Sequence, residues 1–146
     1  MALCQSLTHE RILHMNILIL YVVTVFVFLA SDVVGLRFLV KPVFDRHIDH
    51  LFADPFRTAP AIVFYLAYVA GILWFVSLPA MRSGDLLSAL TSGAILGLMA
   101  YGTYELTNYA TLRDWSLEQV FVDTIWGGVL TGFSAWAGVL IMRSIG

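Results

Sequence analysis

The sequence predicts an all-α integral membrane protein, a four-helix bundle with a short interfacial helix between helices 1 and 2. Three observations carry this. Hydrophobic residues make up 60% of the chain and charged residues 12%, with a mean hydropathy of +0.85, a composition that an ordinary soluble domain does not have. Four apolar runs each reach the roughly 20 residues that a helix needs to cross the hydrocarbon core. Most of the charged residues, and the turn segments Ser83-Gly84-Asp85 and Arg113-Asp114-Trp115-Ser116, fall between those runs rather than inside them.

The first run, residues 12–36, is longer than the core of a signal peptide, which spans about 7 to 15 residues, and lacks an A-x-A cleavage site, so a retained helix is expected. The following segment, about residues 37–58, carries Val40, Val43, Phe44, Ile48, Leu51 and Phe52 at helical spacing, with Lys41, Asp45, Arg46, Asp49 and His50 on other faces. That pattern predicts a short helix lying on the membrane surface. The second span, 59–79, opens at Pro60 and is expected to close at Pro79 near Arg82. Ser83-Gly84-Asp85 leads into the third span, 86–109, with Asp85 as its expected cap. Arg113-Asp114-Trp115-Ser116 separates it from the fourth, 119–143. Residues 1–146 are read as a single transmembrane domain.

The formal charge of −2 leaves no large basic patch, which argues against nucleic-acid binding. Cys4 is the only cysteine, so no intrachain disulfide can form. Four crossings put Arg11, Arg82 and Arg143 on one side and Arg37, Lys41, Arg46, Arg57 and Arg113 on the other. Because basic residues favour cytoplasmic flanks, the lean is toward termini outside.

Three acids interrupt the apolar runs: Asp32, Glu105 and Asp123. Intramembrane carboxylates are costly and default to a functional hypothesis. Helix direction sets them all near the first-loop face, with Tyr65, Tyr68, Tyr101, Tyr104 and Asn108 at similar depth. At about 100° per residue, Gly97, Tyr101, Tyr104, Glu105 and Asn108 share one side of the third helix. Gln119, Asp123, Trp126, Gly127 and Ser134 share one side of the fourth. Gly93/Gly97 and Gly128/Gly132 form G-x-x-x-G pairs that suit close helix contact. A polar pocket lined by Asp32, Tyr65, Tyr101, Tyr104, Glu105, Asn108, Asp123 and Trp126 is expected. Acids held together at low dielectric resist joint ionisation, so at least one is expected to stay neutral and able to donate a proton.

A competing, structural reading pairs each acid with a loop arginine, Arg37, Arg57 or Arg113. His47 and His50, spaced H-x-x-H, are the only weak metal candidates, and no metal is expected. No H-E-x-x-H, G-x-S-x-G or phosphate-binding glycine loop occurs, and no motif names a cofactor. Trp115 is expected in the aromatic belt at the interface, Trp126 to need a partner for its N–H, and Trp74 and Trp136 to face lipid or pack.

Asp32, Phe64-Tyr65, Tyr68-Val69-Ala70-Gly71, the string from Gly97 through Ala100-Tyr101-Gly102-Thr103-Tyr104 to Thr107-Asn108, and Asp123 with Trp126-Gly127 together resemble a family of small bacterial predicted membrane proteins, domain of unknown function 2177. The resemblance covers nearly the whole chain. It implies four helices and a bacterial inner-membrane location, but no reaction or ligand. This chain departs from the family pattern at Glu105, where the pattern favours Asp, and at Val33-Val34-Gly35, where it favours an aromatic. The leading functional expectation is binding of a small or lipid-derived ligand, with membrane lipids as partners and oligomeric state left open. The alternatives are a lipid-modifying enzyme using proton transfer and a proton or cation transporter.

Overall fold

The computed structural model describes the backbone of residues 2–145 and the side chains of residues 15–145. Cys4, Arg11 and the first residues of the run predicted from residue 12 lie outside the residues described with side chains. Six α-helices follow one another: α1 (Ala2–Gly35), α2 (Lys41–Ile48), α3 (Thr58–Ile72), α4 (Leu78–Ser83), α5 (Leu86–Thr111) and α6 (Leu117–Ile145). Among the described residues they combine into four helical runs long and apolar enough to cross a membrane, Met15–Leu51, Thr58–Ser83, Leu86–Thr111 and Leu117–Ile145.

Two of the four spans are continuous through a π turn. Leu36–Val40 joins α1 to α2, and Leu73–Ser77 joins α3 to α4. In each the backbone bond reaches five residues back, Lys41 N–H to the Leu36 carbonyl and Leu78 N–H to the Leu73 carbonyl. A proline follows at once, Pro42 or Pro79. A proline ring presses on the carbonyl four residues before it and lacks an N–H, and the wider π turn accommodates both defects. Pro79 therefore does not end the second span. The end comes at Gly84, whose φ of 73° is left-handed and whose N–H bonds the Ala80 carbonyl. Asp85 then caps α5, accepting from Leu87 N (2.9 Å) and Ser88 N (3.2 Å).

The fourth span is the central one. In its most apolar stretch 61% of residues are buried, against 22% to 28% in the other three, and it touches α1, α2, α5 and the second π turn. Its glycines explain the closeness. A side chain at Gly97 would run into the Gly127 carbonyl, and one at Gly93 would sit 2.9 Å from the Gly132 Cα. Gly138 receives the Thr24 hydroxyl of α1 in the same way. Large apolar side chains such as Phe26, Trp74, Phe75, Met99 and Phe121 are instead exposed on the outside, as lipid-facing positions require.

The predicted short helix after the first span is α2, but it continues that span without a loop. Its apolar face does not lie open: Val40, Phe44 and Ile48 are buried against Trp115 and Val120. The amphipathic pattern was legible, and its partner proves to be protein.

Candidate functional site

The acids come together because three helix ends meet. α1 runs into α2 on the side where the short turn 112–116 joins α5 to α6, so Asp32 near the end of α1, Glu105 near the end of α5 and Asp123 in the second turn of α6 share one depth. All three are buried, with 3%, 0% and 6% of their surface exposed. Asp123 faces Glu105 and lies within electrostatic range of Asp32.

Two indoles hold the outer members. Trp115 Nε1 donates to Glu105 Oε2 at 2.7 Å. Its ring stands edge-on to Phe44 of α2 (5.6 Å) and to Tyr104 (5.5 Å), which fixes its direction. Trp115 is therefore not a belt residue: it is 7% exposed, because α2 covers it. Trp126 Nε1 donates to Asp32 Oδ1 at 3.4 Å, the partner that the sequence demanded. Gly35 makes this possible, since any Cβ there would collide with the Trp126 ring. The Tyr65 hydroxyl lies beside the Asp32 carboxyl.

The start of α6 is fixed by a reciprocal cap. Gln119 Oε1 accepts from Ser116 N (2.9 Å), and Ser116 Oγ accepts from Gln119 N (3.2 Å), the S-x-x-Q capping box. This turns the Gln119 amide inward, one helical turn from Asp123. Gln119 Nε2, Glu105 Oε1 and Thr124 Oγ1 are then buried with no partner in the protein. Such atoms are costly unless something else meets them.

Among the other expected site residues, Tyr101 packs its ring on Gly127 and edge-on to Tyr68, whose hydroxyl pairs with Thr131 Oγ1 (3.0 Å). Tyr104 is 51% exposed and contributes its ring to Trp115. Asn108 is half-buried at the end of α5, where its carbonyl accepts from Leu112 N (2.8 Å). Sequence reasoning missed Trp115 as a donor to Glu105. The S-x-x-Q box was the available signal that the chain turns inward there.

Loop cations do not reach the acids. Lys41 pairs with Asp45, Arg46 and His47 both pair with Glu118, and Arg37 lies over the Phe38 ring. His50 meets Asp114 at 3.3 Å, so the two histidines turn to different acids. Among the described residues, no three His, Cys, Asp or Glu side chains converge on a metal-sized site, and no Lys, Arg or His is buried.

Two open grooves indent the lipid-facing surface. One, about 410 Å³, runs between α1 and α6 and is lined by Ala30, Ser31, Val34, Trp126, Val129 and neighbours. The other, about 300 Å³, lies between α1 and the second span beside Tyr21 and Trp74. Neither is lined by an acid of the cluster, but the first shares Trp126 with it.

The family model described as Predicted membrane protein (DUF2177) matches residues 17–140. The chain belongs to this family. The match spans every residue of the acid cluster, Asp32 to Trp126, the whole of the second and third spans and most of the first and fourth. Comparison with curated proteins and with solved structures finds no match. Membership fixes the DUF2177 chain as a membrane protein and leaves its chemistry to be read from the site.

Proposed function

We propose that this DUF2177 protein binds an amphiphilic, lipid-derived ligand whose apolar part lies in the groove between α1 and α6 and whose polar end meets the acid cluster. One observation carries the reading: the indole of Trp126 walls the groove with its ring and donates its N–H to Asp32. A ligand in the groove would press on the same side chain that holds the acid. The apolar lining suits a hydrocarbon chain, and the unpartnered polar atoms of the acid cluster suit a headgroup. A thermal-shift screen of the purified protein across a lipid panel tests this. Binding that D32N, E105Q or D123N weakens is expected; no shift with any lipid, and variants equal to wild type, would end the proposal.

A second reading is favoured by Glu105 and Asp123 facing each other, one neutral acid donating and the other carboxylate accepting a proton on a bound lipid. An unchanged lipid profile in a deletion strain would remove it. Transport is less well supported. Among the described residues, no buried acid continues the cluster toward the second-loop side, where Thr24 spends its hydroxyl on its own helix at the Leu20 carbonyl. The proposed setting is a bacterial inner membrane with the termini outside.

A further inference from the structure

We propose that α2 is a hinged lid that lifts to open the first-loop end of the bundle to water and uncover Glu105. Its two ends set its extent. At the front, the π turn Leu36–Val40 and Pro42 interrupt the regular helical ladder that would carry α1 rigidly into α2. At the back, the 3-10 turn Asp49–Leu51 leads into residues 52–57, which form no helix and leave Phe52 and Phe56 exposed. Between these joints α2 can turn as a unit without breaking its own hydrogen bonds.

Two kinds of contact hold the lid shut. Underneath, Val40, Phe44 and Ile48 pack on Trp115 and Val120, with Phe44 edge-on to the Trp115 ring at 5.6 Å. On the outside the latch is electrostatic: Arg46 and His47 both reach Glu118 at the start of α6, and His50, just past the lid, meets Asp114 at 3.3 Å. The latch side chains are 33% to 59% exposed, and ion pairs at that exposure hold weakly. By contrast, glycines bring the backbones of α5 and α6 into contact, and that joint is not one a few charges could open.

The lid covers the polar end of the bundle. Trp115, packed under Phe44, is the donor to Glu105 Oε2 at 2.7 Å. Glu105 Oε1, an acceptor, and Gln119 Nε2, a donor, are fully buried without a partner in the protein. Water meets both needs, and lifting α2 is the motion that admits it. The groove between α1 and α6 is lined by no acid and opens on the lipid-facing surface, so the lid is a separate, aqueous entrance. Gating by α2 stands whether or not an amphiphile occupies that groove.

The test is carboxyl labelling of the full-length protein in neutral detergent at one fixed pH, with a water-soluble carbodiimide and an amine nucleophile. Modified residues are located by mass spectrometry, with the exposed Asp114 as internal reference. R46E and E118R each set like charges against one another in the latch, one from the lid and one from α6. Each should raise the Glu105 labelling rate about two- to tenfold over wild type, the scale of one or two exposed charge pairs. R46E/E118R restores opposite charges and should return the rate toward wild type. Locking does the reverse: in C4S/R46C/E118C, a bis-maleimide bridging the latch should slow Glu105 labelling relative to the unbridged form. Hydrogen exchange in R46E should speed up across residues 43–50 together and stay unchanged across residues 20–34 of α1.

Equal Glu105 rates in all forms would overturn gating by α2. So would R46E/E118R labelling as fast as E118R, which would indicate damage to α6 in place of a released latch. A bridged protein that labels as fast as the unbridged one would overturn it without any appeal to folding. Exchange that rises through α1 as well as α2 would replace the hinge by unfolding of the whole span.

Discussion

Replacing Trp115 by Phe removes one N–H and little else. The ring that packs edge-on to Phe44 and Tyr104 is kept, while Glu105 loses the only hydrogen bond its carboxyl receives from an indole. Since Glu105 is 0% exposed and its Oε1 is already unpartnered, water does not replace the lost donor at the surface. Leaving a buried polar group unmet costs about 1–3 kcal/mol in proteins. Hydrogen bonds inside membranes average about 0.6 kcal/mol and reach about 1.7, because the unfolded state also finds partners. With a buried carboxyl as acceptor, the upper part of that range applies, about 1–2 kcal/mol. The assay is a double-mutant cycle in mixed micelles, unfolding wild type, W115F, E105L and the double variant by SDS titration. In the E105L background the cost of W115F should fall below about 0.5 kcal/mol, because the bond is already absent. An equal cost in both backgrounds would show that Trp115 acts by packing alone and would refute the reasoning.

Glycine substitutions should separate contact from mere helix propensity. G97A drives a methyl into the Gly127 carbonyl and should cost about 1–3 kcal/mol, whereas G71A meets nothing within 4 Å and should be neutral or mildly stabilising in the same SDS titration. G35A should push Trp126 off α1 and break its bond to Asp32, seen as a changed emission maximum in a protein whose other tryptophans are Phe. E118Q removes the shared partner of Arg46 and His47, so hydrogen exchange in α2 should rise, and rising salt should produce the same loosening in wild type.

The four spans were legible because apolar length is a strong signal, and the structure changes mainly their ends. Pro79 misled, since a proline reads as a helix stop unless a π turn precedes it, and nothing in composition announces i→i+5 bonding. The acids converged as expected because helix direction and the 100° step are both fixed by the backbone. Asp123 beside Glu105 follows from the α5–α6 crossing that Gly93, Gly97, Gly127 and Gly132 permit. What sequence could not place was the roof. The periodicity of Val40, Phe44 and Ile48 announces an apolar face without saying whether lipid or protein covers it, and Trp115 carries the same ambiguity. Their mutual contact seals the first-loop end and turns an interfacial tryptophan into a ligand of Glu105. Arginine pairing failed as an explanation for the acids because Arg37 turns to Phe38 and, among the described residues, neither Arg57 nor Arg113 forms a salt bridge to Asp32, Glu105 or Asp123.

The most direct test of a ligand site at the acid cluster is an experimental structure of the protein extracted with its surrounding lipids into native nanodiscs. Density should enter the groove between α1 and α6, contact Trp126, and end on Asp32, Glu105 or Asp123. Density confined to the outer apolar surfaces, with the three carboxyls touched by protein alone, would contradict it.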